Sequence, residues 1–126
     1  MPSRLLIAFA VMTFVTLDAP ATARAQNASS GHQVFQSRCS ICHSAQPGRI
    51  VIGPSLFGVV GRHSGRMQGF QYSAANLQSN LTWDPATLDR YLSNPQQLVP
   101  GTLMTFSGLR NPQQRADVIA YLETLR

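Results

Sequence analysis

Lysine is absent from this 126-residue chain: all ten basic residues are arginines, set against five acids, for a formal charge of +5 and a sequence pI of 10.3. The arginines are scattered, at positions 4, 24, 38, 49, 62, 66, 90, 110, 115 and 126. A surface that tracks phosphates needs basic side chains gathered on one face, so no nucleic acid is expected as a partner. Charged residues make up only 12% of the chain and hydrophobic ones 44%, which excludes a charge-swollen disordered protein. Internal repeats, low-complexity tracts and the period-two alternation of exposed strands are also missing. There are only two cysteines, and the length leaves room for one domain.

What is present divides into a leader and a helical domain. Arg4 precedes the apolar run from Leu5 to Leu17, followed by Asp18, Pro20 and alanine-rich sequence. That order of basic end, short apolar core and small-residue region is a secretory signal. At 1.5 Å per residue the run reaches roughly 20 Å, short of the ~30 Å needed to cross a bilayer. Ala23-Arg24-Ala25 supplies a cleavage site, as does Ala21-Thr22-Ala23. The first is preferred, which assigns residues 1–25 to the signal and 26–126 to the mature domain, with eight arginines against four acids. The expected compartment is the periplasm, with no membrane insertion after cleavage.

Three helical patterns follow. One runs from about Ser30 to Cys42, with Ser29 or Ser30 as cap and Val34, Phe35, Cys39 and Cys42 recurring three and four residues apart. A second opens at Asp84-Pro85, carries Leu88, Tyr91 and Leu92, and stops at Asn94-Pro95; a third opens at Asn111-Pro112 and carries Val118, Ile119, Tyr121, Leu122 and Leu125. A shorter turn is expected near Ser73 to Leu77. From Ala45 to Gly69 glycines and prolines recur throughout, which predicts a long loop of the kind that wraps a ligand.

The chemistry begins at Cys39-Ser40-Ile41-Cys42-His43. Two thiols three residues apart can each reach one vinyl group of a haem, with the adjoining histidine aimed at the iron. A redox-active thiol pair uses the same residues, but belongs after a strand in an α/β fold. Zinc wants about four ligands, and the other histidines, His32 and His63, stand alone. With His43 on one side of an iron, His32, His63, Met67 and Met104 are the mature-chain candidates for the other. Met104 lies in the tight Pro100-Gly101-Thr102-Leu103-Met104 loop and is the preferred one. Met67 reads as a surface or gap-filling side chain, while His32 and His63 read as solvated.

From about Gly31 to Leu125 the chain resembles the class I cytochromes c, of the mitochondrial and bacterial cytochrome c2 type. The resemblance rests on Gly31-x-x-x-Phe35, Cys39-x-x-Cys42-His43, Gly53-Pro54-Ser-Leu56, Gly58-Val-Val-Gly-Arg62, Gly69-Phe70-Gln-Tyr72, Asn76, Leu81-Thr-Trp83, Tyr91-Leu92, Asn94-Pro95, Pro100-Gly101-Thr102-x-Met104, Phe106 and Tyr121-Leu122. It implies an all-α fold of three main helices and loops around one haem c, with Gly31, Phe35 and Tyr121 where the first and last helices cross. It implies thioether attachment at Cys39 and Cys42, iron ligation by His43 and Met104, and a Pro54 carbonyl accepting from the imidazole. Arg62, Tyr72, Asn76, Trp83 and Thr102 match residues around the propionates and the buried water beside them, Tyr91 the tyrosine near the methionine sulfur, and Phe106 an aromatic shield.

The function so implied is one-electron transfer by a monomer, not an enzyme, between membrane redox complexes: a quinol-oxidising complex and a terminal oxidase or reductase. A haem sensor or small peroxidase-like protein with an open sixth position is the alternative. Three departures stand out. Where relatives ring the haem edge with lysines, Gln96, Gln97 and Leu103 stand here, and only Arg38 and Arg110 keep charge. The loop from His43 to Gly53 is one residue shorter than in the mitochondrial form. Phe57 replaces a more usual histidine.

Overall fold

The computed structural model describes residues 25–126, so the proposed signal lies outside the described residues apart from Ala25. Five helices follow in order: α1 (Ala28–Arg38), α2 (Ala74–Gln78), α3 (Pro85–Ser93), α4 (Pro95–Leu98) and α5 (Pro112–Glu123). Among the described residues the only β pairing is two isolated antiparallel bridges, His43 with Ile50 and His63 with Thr82. None of the described helices is long and apolar enough to cross a membrane.

Each helix start is written in the sequence. The Asn27 side chain accepts from the Ser29 and Ser30 amides, Ser73 from Asn76, Asp84 from Thr87, Asn94 from Gln97, and Asn111 from Gln113 and Gln114. Asp84, Asn94 and Asn111 are each followed by a proline at the first helical position, where its missing N–H costs nothing. The cap of α1 is therefore Asn27, not Ser29 or Ser30: it begins the helix earlier, and its own N–H donates 2.9 Å to Asp117 on α5.

The first helix also ends sooner than its apolar spacing suggests. The Phe35 carbonyl accepts from both Cys39 and Ser40, and a separate turn then forms, with the Cys42 and His43 amides on the Cys39 carbonyl. Cys42 is pulled off the helix axis because its carbonyl receives the Gly53 N–H at 2.7 Å and the Ile52 N–H at 3.2 Å. Both thiols thus lie on a turn after α1 rather than on its face.

α1 and α5 form the central crossing. A Cβ at Gly31 would collide with the Asp117 backbone and lie 2.9 Å from Tyr121 Cβ, so only glycine allows this approach. Around the crossing, Phe35 and Tyr121 pack with ring centroids 5.4 Å apart. α3 adds Leu88, Tyr91 and Leu92 to a core completed by Val59, Trp83, Val99, Leu109, Val118, Ile119 and Leu122. A 2.7 Å ion pair from Arg115 to Asp89 ties α5 to α3.

The stretch from Ala45 to Gly69 holds no helix or strand, as its composition predicts. It is stapled to the rest by main-chain bonds: Gly58 to Leu125, Gly61 to Trp83, Trp83 to Arg62 and Ser64 to Leu81.

Candidate haem site

The turn after α1 and the start of the long loop fix the histidine. His43 donates from Nδ1 to the Pro54 carbonyl at 2.7 Å; a carbonyl can only accept, so the proton is on Nδ1 and Nε2 carries the lone pair. Burial lowers the imidazole pKa, opposed by the Pro54 bond and reinforced by the Arg62 charge, so the ring is neutral near pH 7. Gly53 lies flat against it: a Cβ there would overlap the ring and reach within 3.1 Å of Nε2. Both thiols are free and half-buried. Burial, and secondarily the neighbouring Cys42, push the Cys39 thiol up to about 11. A catalytic thiol pair needs the opposite shift, toward thiolate.

Arg62 reaches back over the same loop, donating 3.0 Å to the Ser55 carbonyl and 3.3 Å to that of Phe57. Burial lowers its pKa against the opposing influence of Tyr72. Tyr72 accepts the Met67 N–H at 3.3 Å, and the Met67 sulfur accepts the Ser55 N–H at 3.2 Å. Met67 is thus half-buried and engaged, not the surface or gap-filling side chain its glycine-rich surroundings suggested. His32 and His63 are exposed, the first beside Gln36 and the second beside Thr82.

A second group forms between α3 and the loop after α4. The Tyr91 hydroxyl lies 3.4 Å from the Met104 sulfur and 3.4 Å from the Thr102 hydroxyl, which accepts the Met104 N–H. Burial raises the Tyr91 pKa, with hydrogen bonds to Thr102 and Asn76 pulling the other way. Trp83 packs on Tyr91 with centroids 4.8 Å apart. Gln96, within α4, donates 3.1 Å to the Met104 carbonyl. Among the described residues no three His, Cys, Asp or Glu side chains gather as a metal-binding set.

A sequence model of the family described as Cytochrome c matches residues 28–126. The chain belongs to the cytochrome c family. It is 51% identical over 96 residues to a cytochrome c2 of Rhodopila globiformis, covering 76% of this chain and 91% of that one. To a cytochrome c of Trypanosoma brucei brucei it is 55% identical over 83 residues, covering 66% and 89%. Its fold matches the solved cytochrome cH from Methylobacterium extorquens with a TM-score of 0.74 at 40% identity, over 78% of this chain and 98% of that one. This cytochrome is therefore a class I protein of the c2 type, all-α, an electron carrier built for haem c and not an enzyme.

The geometry adds residues that the motif leaves unexplained. Ser55 is 1% exposed and uses every polar atom it has: N–H to Met67, carbonyl from Arg62, hydroxyl to Gln46 and from Phe57. In the sequence it is an unremarked position between Pro54 and Leu56. Gln96, read only as a missing lysine, braces the methionine loop of this cytochrome.

Proposed function

We propose that this cytochrome carries one haem c through thioethers at Cys39 and Cys42, with His43 and Met104 as the side chains that would ligate its iron. The residues present fit that group. Two unpaired thiols precede a histidine whose Nε2 lone pair is not used by Pro54, and Gly53 gives the ring the room a side chain would take. The observation that carries the reading is His43 held as a neutral, Nδ1-protonated ring by Pro54, the state in which a histidine binds metal. Bound haem supplies a reversible Fe(III)/Fe(II) couple, raised in potential by the thioether ligand.

The remaining side chains do preparatory work. Tyr91 directs its hydroxyl at the Met104 sulfur and, with Thr102, holds that loop in place. This favours electron transfer over the sensor or peroxidase alternative, which needs the sixth position open. Arg62, Tyr72, Asn76, Trp83 and Thr102 serve the propionates and the water beside them: buried carboxylates require donors, and Arg62 keeps part of its guanidinium free beyond its two carbonyl bonds.

Residues 1–25 act as the export signal and residues 26–126 work as a monomer in the periplasm. The protein passes electrons from a quinol-oxidising membrane complex to a terminal oxidase or reductase. Iron ligation is tested by the weak sulfur-to-ferric-iron absorption band at the red end of the visible spectrum. It is expected in the wild type and lost in Met104→Ala. A band that persists in the variant assigns the sixth position elsewhere.

A further inference from the structure

The peptide group joining Pro54 to Ser55 is held at both ends. Its carbonyl accepts the His43 Nδ1–H at 2.7 Å, and its N–H donates to the Met67 sulfur at 3.2 Å. These are the two poles of one amide. When its N–H is drawn toward an acceptor, charge shifts onto its oxygen, and the bond that oxygen accepts is strengthened. A stronger Nδ1–H···O bond makes the imidazole more basic at Nε2.

Resting on the axial ligation proposed above, we propose that Met67 is a positioning residue that tunes His43 through this single amide and thereby sets part of the reduction potential. Three features suit it to the role. Its sulfur is anchored because its own N–H is held by the Tyr72 hydroxyl at 3.3 Å. The recipient amide is buried, so water does not compete: Ser55 is 1% exposed. The next peptide group is held too, the Ser55 carbonyl by Arg62 at 3.0 Å, so the chain on the far side of Ser55 is anchored as well. A thioether is a weak acceptor, so the setting is intermediate between no acceptor and an oxygen. A more electron-rich Nε2 favours Fe(III), so the potential falls as the acceptor at position 67 strengthens.

The test compares haem-loaded wild type with Met67→Leu, which keeps the volume and removes the acceptor, and Met67→Gln, which offers an amide oxygen. Midpoint potentials are expected in the order Leu above Met above Gln. The His43 Nδ1–H proton resonance in the ferrous, diamagnetic form is expected to move upfield in Met67→Leu and downfield in Met67→Gln. A change in packing alone does not produce opposite shifts in the two variants. Potentials and proton shifts that coincide in all three proteins, with the red-end band intact, overturn the inference while leaving the ligation standing. Loss of that band from the wild type overturns the ligation instead. In the wild type, the Ser55 amide should exchange slowly with solvent; fast exchange overturns the inference even where a variant fails to take up haem.

Discussion

At the residue scale, the chemistry depends on small groups that hold larger ones. Gly53 is the clearest case. The motif Gly53-Pro54 names it, but only the structure shows the reason: the imidazole of His43 occupies the space a methyl group would take. Gly53→Ala should force the ring aside and stretch its bond to Pro54. Inserting a methyl group into a filled site costs typically about 1–3 kcal/mol, or ~4–8 °C of thermal midpoint per kcal/mol for a domain this size. A thermal melt of the haem-loaded variant, read beside its visible spectrum, checks this; an unchanged midpoint and spectrum would show that the loop yields freely. The residues proposed to hold the haem are drawn from short patterns with few competing uses, Cys39-x-x-Cys42-His43 and the Pro100–Met104 loop. Ser55 and Met67 were not legible in this way, because a hydrogen bond to a sulfur across twelve residues leaves no periodic trace in the chain.

At the element scale, starts were more legible than ends. Asx-Pro pairs at 84–85 and 111–112 fix two helix openings locally, and the structure places α3 and α5 on them; Asn94-Pro95, read as a stop, also caps the short α4, because the same Asx-Pro pair that ends one helix opens the next. The end of α1 is set by long-range bonds from Gly53 and Ile52 to Cys42, and no local signal announces it. The caps also carry a pH dependence. Bonds from the Thr87 amide and hydroxyl hold the Asp84 carboxyl below the usual aspartate range. A lowered carboxylate pKa contributes stability that is complete above the unfolded value, about 3.9, and lost as pH falls through the folded value. Asp84→Asn keeps an N-cap acceptor but removes that titration. Thermal midpoints measured from about pH 5 down to about pH 2 should fall less steeply for the variant than for the wild type. Parallel curves would mean that the cap contributes nothing that titrates.

At the scale of the whole molecule, the charge and the apolar surface decide how the protein meets its partners. Arg38 and Arg110 are exposed, but Gln96, Gln97 and Leu103, also exposed, carry no charge, and Gln96 is turned to the Met104 backbone. Leu103 is 77% exposed and Ile41, inside the cysteine motif, 80%. Steered association requires charge concentrated at the contact face, and it weakens as salt shortens the screening length to about 8 Å at physiological ionic strength. With little charge there to screen, docking should rest more on burying Leu103, a contribution that salt does not screen. The rate of electron transfer to the native partner should therefore change only several-fold between low and physiological salt. Leu103→Lys, which exchanges that exposed apolar side chain for a charged one, should steepen that dependence toward an acidic partner while slowing transfer at high salt through the lost apolar contact. A wild-type rate that drops by about a hundredfold over the same range, the scale that strong steering reaches, would place the docking face elsewhere, among the remaining arginines.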